Sequence, residues 1–217
     1  MNWSDSLFIL AMVAACSNLI PLGIAIRCRK NLERSGIILL VYLAFIVCLE
    51  VIYITLAANK QNNMPVAHVY NAAESAFILT YLRYVLKSYF YQKLYPYLLS
   101  SLLLIAFIDT FLINTVFEAS VLSRPLNCIL YAVLAISCLN QLIADQGDKP
   151  LTSIPHFWFS IAMLFRFTGI FILSLFLSVL LKSYPDIFDA AWYINNVLYL
   201  SFNTLLVIGF LKWKRKV

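Results

Sequence analysis

Three acids and one arginine stand where the neighbouring letters are apolar: Glu50 in "LEVIYITLA", Glu74 in "HVYNAAESAFILTYLRYVL", Asp109 in "LIAFIDTFLI" and Arg166 in "HFWFSIAMLFRFTGIFILSLF". Such acids can hold a cation, carry a proton or neutralise a buried guanidinium, and with His68 they could form an oxygen and nitrogen set for zinc. His68 and Glu74 are six residues apart, roughly 120° around a helix, so they do not repeat the one-face geometry of HExxH. The sequence holds no GxSxG and no helical histidine pair, and it lacks the aspartate-histidine spacing of ceramidase-type membrane hydrolases.

The elements that must position these groups follow from composition. Of 217 residues, 63% are apolar and 12% charged, which places the chain with membrane proteins rather than soluble domains. A crossing helix needs about 20 apolar residues at a rise of about 1.5 Å, and seven runs of that kind occur, at about 7–26, 36–57, 66–86, 98–117, 126–144, 156–181 and 191–211. The expected fold is an all-α bundle of seven transmembrane helices forming one domain, with every proline but Pro21 in a connection or at a helix edge.

Orientation follows from lysine and arginine in the short loops. Arg27, Arg29, Lys30, Arg34, Lys87, Lys93, Lys149, Lys212, Lys214, Arg215 and Lys216 fall on one side, eleven against Lys60, Arg124 and Lys182 on the other. The N-terminus is therefore expected outside and the C-terminus in the cytoplasm, in a multi-pass protein of the inner (plasma) membrane. The opening "MNWSDS" has no basic segment or small-residue cleavage site, so the first run is expected to be retained. The net charge of +6 sits mostly on the cytoplasmic rim, where it faces anionic lipid and does not imply nucleic acid.

Counting from the outer ends places Glu74 roughly 12 Å deep, with Glu50 and Asp109 at about the same level. Arg166 lies about 15 Å from the inner end of its span and needs an acid; Glu74 is the best-placed candidate, with Glu50 and Asp109 as competitors. Charge at the centre of a membrane helix costs at least about 2.5 kcal/mol, so these groups must face the interior. Steps of three or four join Asn71, Glu74, Ile78 and Tyr81, and likewise Trp192, Asn195, Asn196, Tyr199 and Asn203. Ser17, Asn18, Asn127, Tyr131, Cys138 and Gln141 add polar positions on the first and fifth spans, while Pro21 leaves the Ser17 carbonyl without its helical donor. Arg83 and His156 are expected at the inner interface.

Retinal is excluded because the last span has no lysine for a Schiff base, and the five scattered cysteines carry no CxxC spacing. No cofactor and no bound metal are implied. The pattern is expected to form a polar cavity in the outer half, built from Glu50, His68, Asn71, Glu74, Asp109, Arg166, Asn195, Tyr199 and Asn203. Such a cavity would take a small polar ligand or cation from outside, and occupancy would pass to a cytoplasmic or membrane signalling partner. A lipid-acting enzyme and a proton- or cation-coupled transporter are the alternatives. A buried ion pair that only pins the helices explains the same letters.

The third-span stretch quoted above, the opening "PHFWFSIAMLFRFTGIFILSLF" and the ending "WYINNVLYLSFNTLLVIGFLKWKRK" resemble a group of uncharacterised small seven-helix inner-membrane proteins of Bacteroidota. The resemblance implies the seven-helix fold and topology, and a setting beside sensor kinases or response regulators. It carries over Asn71, Glu74, Trp158, Asn195 and Asn203, and departs at Arg166, where the group is expected to carry a charge less often.

Overall fold

The computed structural model describes residues 5–113, 115–145, 147, 150–183 and 185–214. Lys149, Arg215 and Lys216, counted above toward the basic side, lie outside them. Regular structure among the described residues is helical throughout: α1 Asp5–Cys16, α2 Leu19–Cys28, α3 Arg34–Ala58, α4 Met64–Val85, α5 Tyr89–Ile108, α6 Ser123–Asp145, α7 Pro155–Ser183 and α8 Pro185–Lys214. Short 3-10 turns cover Arg29–Asn31 and Leu151–Ser153, and a π turn, Asp109–Ile113, prolongs α5.

Six of these segments are long and apolar enough to cross a membrane, α1 and α2 counting as one. The 22-residue α4 has the length but is not among the six, because it spends its interior on His68, Asn71, Glu74 and Arg83. Ile9, Val13, Val41, Val51, Leu104 and Ile172 project outward with about half or more of their surface exposed, the pattern of helices solvated by lipid.

Two proline positions differ from the sequence expectation. The first span breaks at Ser17–Asn18, so Pro21 falls in the first turn of α2, where its missing N–H is harmless. The Ser17 carbonyl, expected to be orphaned, accepts the Ile20 N–H at 3.2 Å. Pro96, expected in a connection, lies inside α5, which begins at Tyr89, nine residues before the anticipated run.

Helices α1/α2, α3, α4, α6, α7 and α8 form a closed ring of packed neighbours, and α5 lies on its flank against α4 and α6. One end, the N-face, is tied by Asn62 Nδ2 to the Phe117 carbonyl at 2.9 Å and by Ser6 Oγ to Tyr193 Oη at 2.8 Å. The other, the C-face, is tied by Lys87 to Asp145 at 2.9 Å and by the Gln141 amide to Lys87 N at 2.9 Å and Val85 O at 3.1 Å. Its core is aromatic: Trp213 packs on His156 and Phe159 with ring centroids 5.2 and 5.1 Å apart, and His156 Nδ1 bonds Tyr81 Oη at 3.1 Å. His156 is thus packed between helices, whereas Arg83 is exposed and lies over the Tyr95 ring at 4.7 Å. Trp213 seats directly on Gly36, where a Cβ would meet its ring at 2.8 Å.

Candidate functional site

The polar stripe of α4 faces the centre of the ring as its spacing requires: Asn71, Glu74, Ile78 and Tyr81 are all buried. Glu74 is completely enclosed and is shared. Its Oε2 accepts Arg124 Nη1, its Oε1 accepts the Tyr42 hydroxyl at 3.0 Å, and Arg166 Nη2 stands 3.8 Å from Oε1. The pairing of Glu74 with Arg166 was legible in the sequence. Arg124 was not: "EASVLSRP" reads as a loop, yet Arg124 occupies the second position of α6.

Arg124 is drawn inward by the start of that helix. Asp109 Oδ2 accepts Ser120 Oγ at 2.6 Å, Ser123 N at 2.8 Å and Ser123 Oγ at 2.8 Å, and Oδ1 accepts Leu122 N at 3.2 Å. A carboxylate at the open N–H groups of a helix start is favoured both by hydrogen bonding and by the helix dipole. Asp109 is thus the cap of α6, buried away from Arg166. From α6, Asn127 Nδ2 reaches Asn71 Oδ1 at 3.0 Å and Ser75 Oγ at 2.9 Å, and the Tyr131 hydroxyl donates to Ser75 Oγ at 2.7 Å. Arg124, Asn127 and Tyr131 step by three and four, so extending the Asn127 stripe one turn backward was the sequence signal for Arg124.

Glu50 belongs to a second node. Asn18, placed inward by the break between α1 and α2, donates through Nδ2 to Glu50 Oε2 at 2.7 Å and to Tyr199 Oη at 2.6 Å. The Tyr199 hydroxyl donates to Glu50 Oε1. Its ring carries the Arg166 guanidinium at 4.1 Å, with Phe202 at 4.8 Å. Tyr199 therefore stands between the two nodes, hydroxyl on the acid and π face on the cation.

Between them lies a cavity of about 340 Å³, lined by residues of α1, α3, α4, α6, α7, α8 and the 118–120 loop. It extends from Met64, Ala119 and Trp192 near the N-face to Arg166 and Tyr199 in the interior. Glu50, His68, Asn71, Arg166, Asn195 and Tyr199 line it, as does Arg124. Glu74 lies behind the arginines, Asp109 at the α6 cap, and Asn203 beside the helix break, where its Nδ2 donates to Ser17 Oγ at 2.6 Å. The three acids expected at one level thus serve three separate tasks.

His68 meets neither Glu74 nor Asp109. Nε2 lies 2.9 Å from the Glu118 carbonyl, which can only accept, so Nε2 carries the proton; Nδ1 faces Thr110 Oγ1 at 2.9 Å. Both ring nitrogens are spent on fastening α4 to α5 and the following loop. Among the described residues no three His, Cys, Asp or Glu side chains converge as a metal site.

The cavity floor leaves guanidinium donors unspent. Arg166 is 3% exposed, and its Nε and Nη1 are buried without a hydrogen-bond partner among the described residues, while Nη2 reaches Tyr70 Oη at 3.2 Å. Among the described residues Arg124 uses only Nη1, on Glu74 and on Asn71 Oδ1 at 3.4 Å. The side-chain amide of Asn195 makes no hydrogen bond among the described residues. Unpaired buried donors are costly, so this floor is chemically incomplete.

No protein family, curated protein or solved structure matches the chain.

Proposed function

We propose that this chain is a seven-span receptor-like protein of the plasma (inner) membrane, with its N-face outside and its C-face in the cytoplasm. It takes a small ligand into the cavity and reports occupancy to a signalling partner at the basic cytoplasmic rim. The observation that carries this reading is the incomplete floor: one enclosed carboxylate, Glu74, serves two guanidiniums, Arg124 and Arg166, that both line a cavity and leave N–H groups unpartnered among the described residues. Buried ion pairs add little net stability and interhelical polar contacts in membranes average about 0.6 kcal/mol, so pinning helices is a poor reason for leaving donors unspent. The basic residues at the C-face and the α4 length support the seventh span and the orientation.

Filling the cavity tests the sensory reading. Ala11 lines the cavity and Val13 is 52% exposed on the outside of the bundle. Cells carrying Ala11→Phe are expected to show the transcript profile of a deletion strain, and cells carrying Val13→Phe that of the wild type. Identical profiles in the deletion strain and the wild type would contradict it.

One observation favours a second reading, cation-coupled transport. A broken helix whose turn residue, Asn18, contacts an intramembrane acid, Glu50, is the arrangement used at ion sites in transporters. Flux into liposomes under an imposed proton or sodium gradient, lost in Glu50→Gln, would select it over the receptor.

A further inference from the structure

We infer that the cavity selects an amphiphilic anion, a carboxylate on an apolar chain, with its head on Arg124 and Arg166 and its tail along α1 and α7. This rests on the reading of the cavity as a ligand site and adds the ligand's chemistry, which the sequence had left at a polar molecule or cation.

Charge and donor count decide the head. The two guanidiniums share Glu74, which is itself enclosed behind them, so a ligand entering the cavity meets N–H groups rather than that carboxylate. Of the two acids on the wall, Glu50 already takes a donor on each oxygen, from Asn18 and Tyr199. The other, Glu118, is exposed near the N-face and accepts Thr115 N at 3.3 Å. A cation would therefore displace existing donors and sit near two arginines. A carboxylate would accept from the Nε and Nη2 of Arg124, which lines the cavity and bonds only through Nη1 among the described residues, in the planar fork geometry that guanidinium favours, with the Arg166 charge close behind.

The walls decide the rest. Ala11, Ala14, Ala15, Leu49, Ile170 and Leu173 border the same space, so the α1 and α7 side of the cavity is largely hydrocarbon, while His68, Glu118 and Asn195 make the opposite side and the N-face end polar. At about 340 Å³ the cavity falls at the small end of ligand pockets, which run from about 300 to 1,000 Å³. A medium-chain carboxylate has that size and polarity.

The test uses the full chain in phosphatidylcholine nanodiscs and three probes with a terminal diazirine: decanoate, decanol and decylamine. Photolabelled residues are read by mass spectrometry. The decanoate probe is expected to label the α1 and α7 wall near Ala15 and Leu173, and unlabelled decanoate to compete at about tenfold lower concentration than decanol or decylamine. Arg124→Lys keeps a charge opposite Glu74 but loses the fork, and is expected to weaken that competition about tenfold; Ala11→Phe is expected to abolish wall labelling with the charges intact. Equal competition by all three compounds would overturn the anion assignment while leaving the cavity a ligand site. Labelling by every probe only at lipid-facing positions such as Val13 would overturn the ligand site itself.

Discussion

Arg124, from the first turn of α6, donates to the enclosed carboxylate of Glu74 on α4, and the same carboxylate faces Arg166 of α7 at 3.8 Å. Three helices thus meet at one acid that neutralises only one of its two cations. Removing the acid is expected to be far worse than removing either base. Glu74→Gln leaves two facing guanidiniums and should destabilise the protein by about 3–5 kcal/mol; Arg124→Gln, which leaves Arg166 in place, should cost less. Thermal unfolding in nanodiscs checks the order, and Glu74→Gln with wild-type stability would remove the acid from the centre of the fold.

Asp109 acts on α6 rather than on the cavity. Asp109→Ala removes acceptors from Leu122 N and Ser123 N and should cost about 1–2 kcal/mol, the range of a lost helix cap. Hydrogen exchange at those two amides is expected to speed by about tenfold or more, with cavity labelling retained. Unchanged exchange together with lost labelling would return Asp109 to the ligand site.

Tyr199 can be divided into its two uses. Tyr199→Phe keeps the ring under Arg166 and removes the donor to Glu50, with an expected cost of about 1.5–3 kcal/mol. Tyr199→Leu loses both contacts and should be less stable than Tyr199→Phe in the same unfolding assay. Equal stability of the two variants would mean that the ring contact contributes nothing.

Close helix approach makes a contrast among glycines. A Cβ on Gly36 would lie 2.8 Å from the Trp213 ring and one on Gly209 would lie 2.7 Å from the Phe159 ring, whereas nothing lies within 4 Å at Gly23. Gly36→Ala and Gly209→Ala are expected to cost about 1–3 kcal/mol through overpacking. Gly23→Ala should be neutral or stabilising by up to about 1 kcal/mol through helix propensity. A destabilising Gly23→Ala would contradict the open surroundings of α2.

Much of this arrangement can be read from letters, for reasons particular to each residue. Charge in an apolar run must turn inward, which is why the Asn71–Glu74–Ile78–Tyr81 face follows from spacing, and depth counting made Glu74 the best placed of three acids to face Arg166. Arg124 escaped because "EASVLSRP" reads as a loop ending in proline, although proline is welcome in a first helical turn and α6 in fact starts at Ser123. Depth counting put Asp109 level with Glu74, and depth says nothing about azimuth; its donors come from Ser120 and Leu122 of the loop and Ser123 at the start of α6, a path that no periodicity encodes. The break at Ser17–Asn18 had a signal in Pro21. Its consequence, Asn18 bridging Glu50 and Tyr199, depends on three helices meeting, which is tertiary information.

The most direct test of the central claim, a cavity open to the outside above two underused arginines, is labelling of Asn195→Cys in a cysteine-free background with a membrane-impermeant maleimide on intact cells. Asn195 lines the cavity without a hydrogen-bond partner among the described residues, so its replacement leaves the neighbouring contacts in place. Rapid labelling from outside, blocked when Ala11→Phe is added, is the predicted result. Labelling only after the cells are opened, or at a rate indifferent to Ala11→Phe, would contradict the claim.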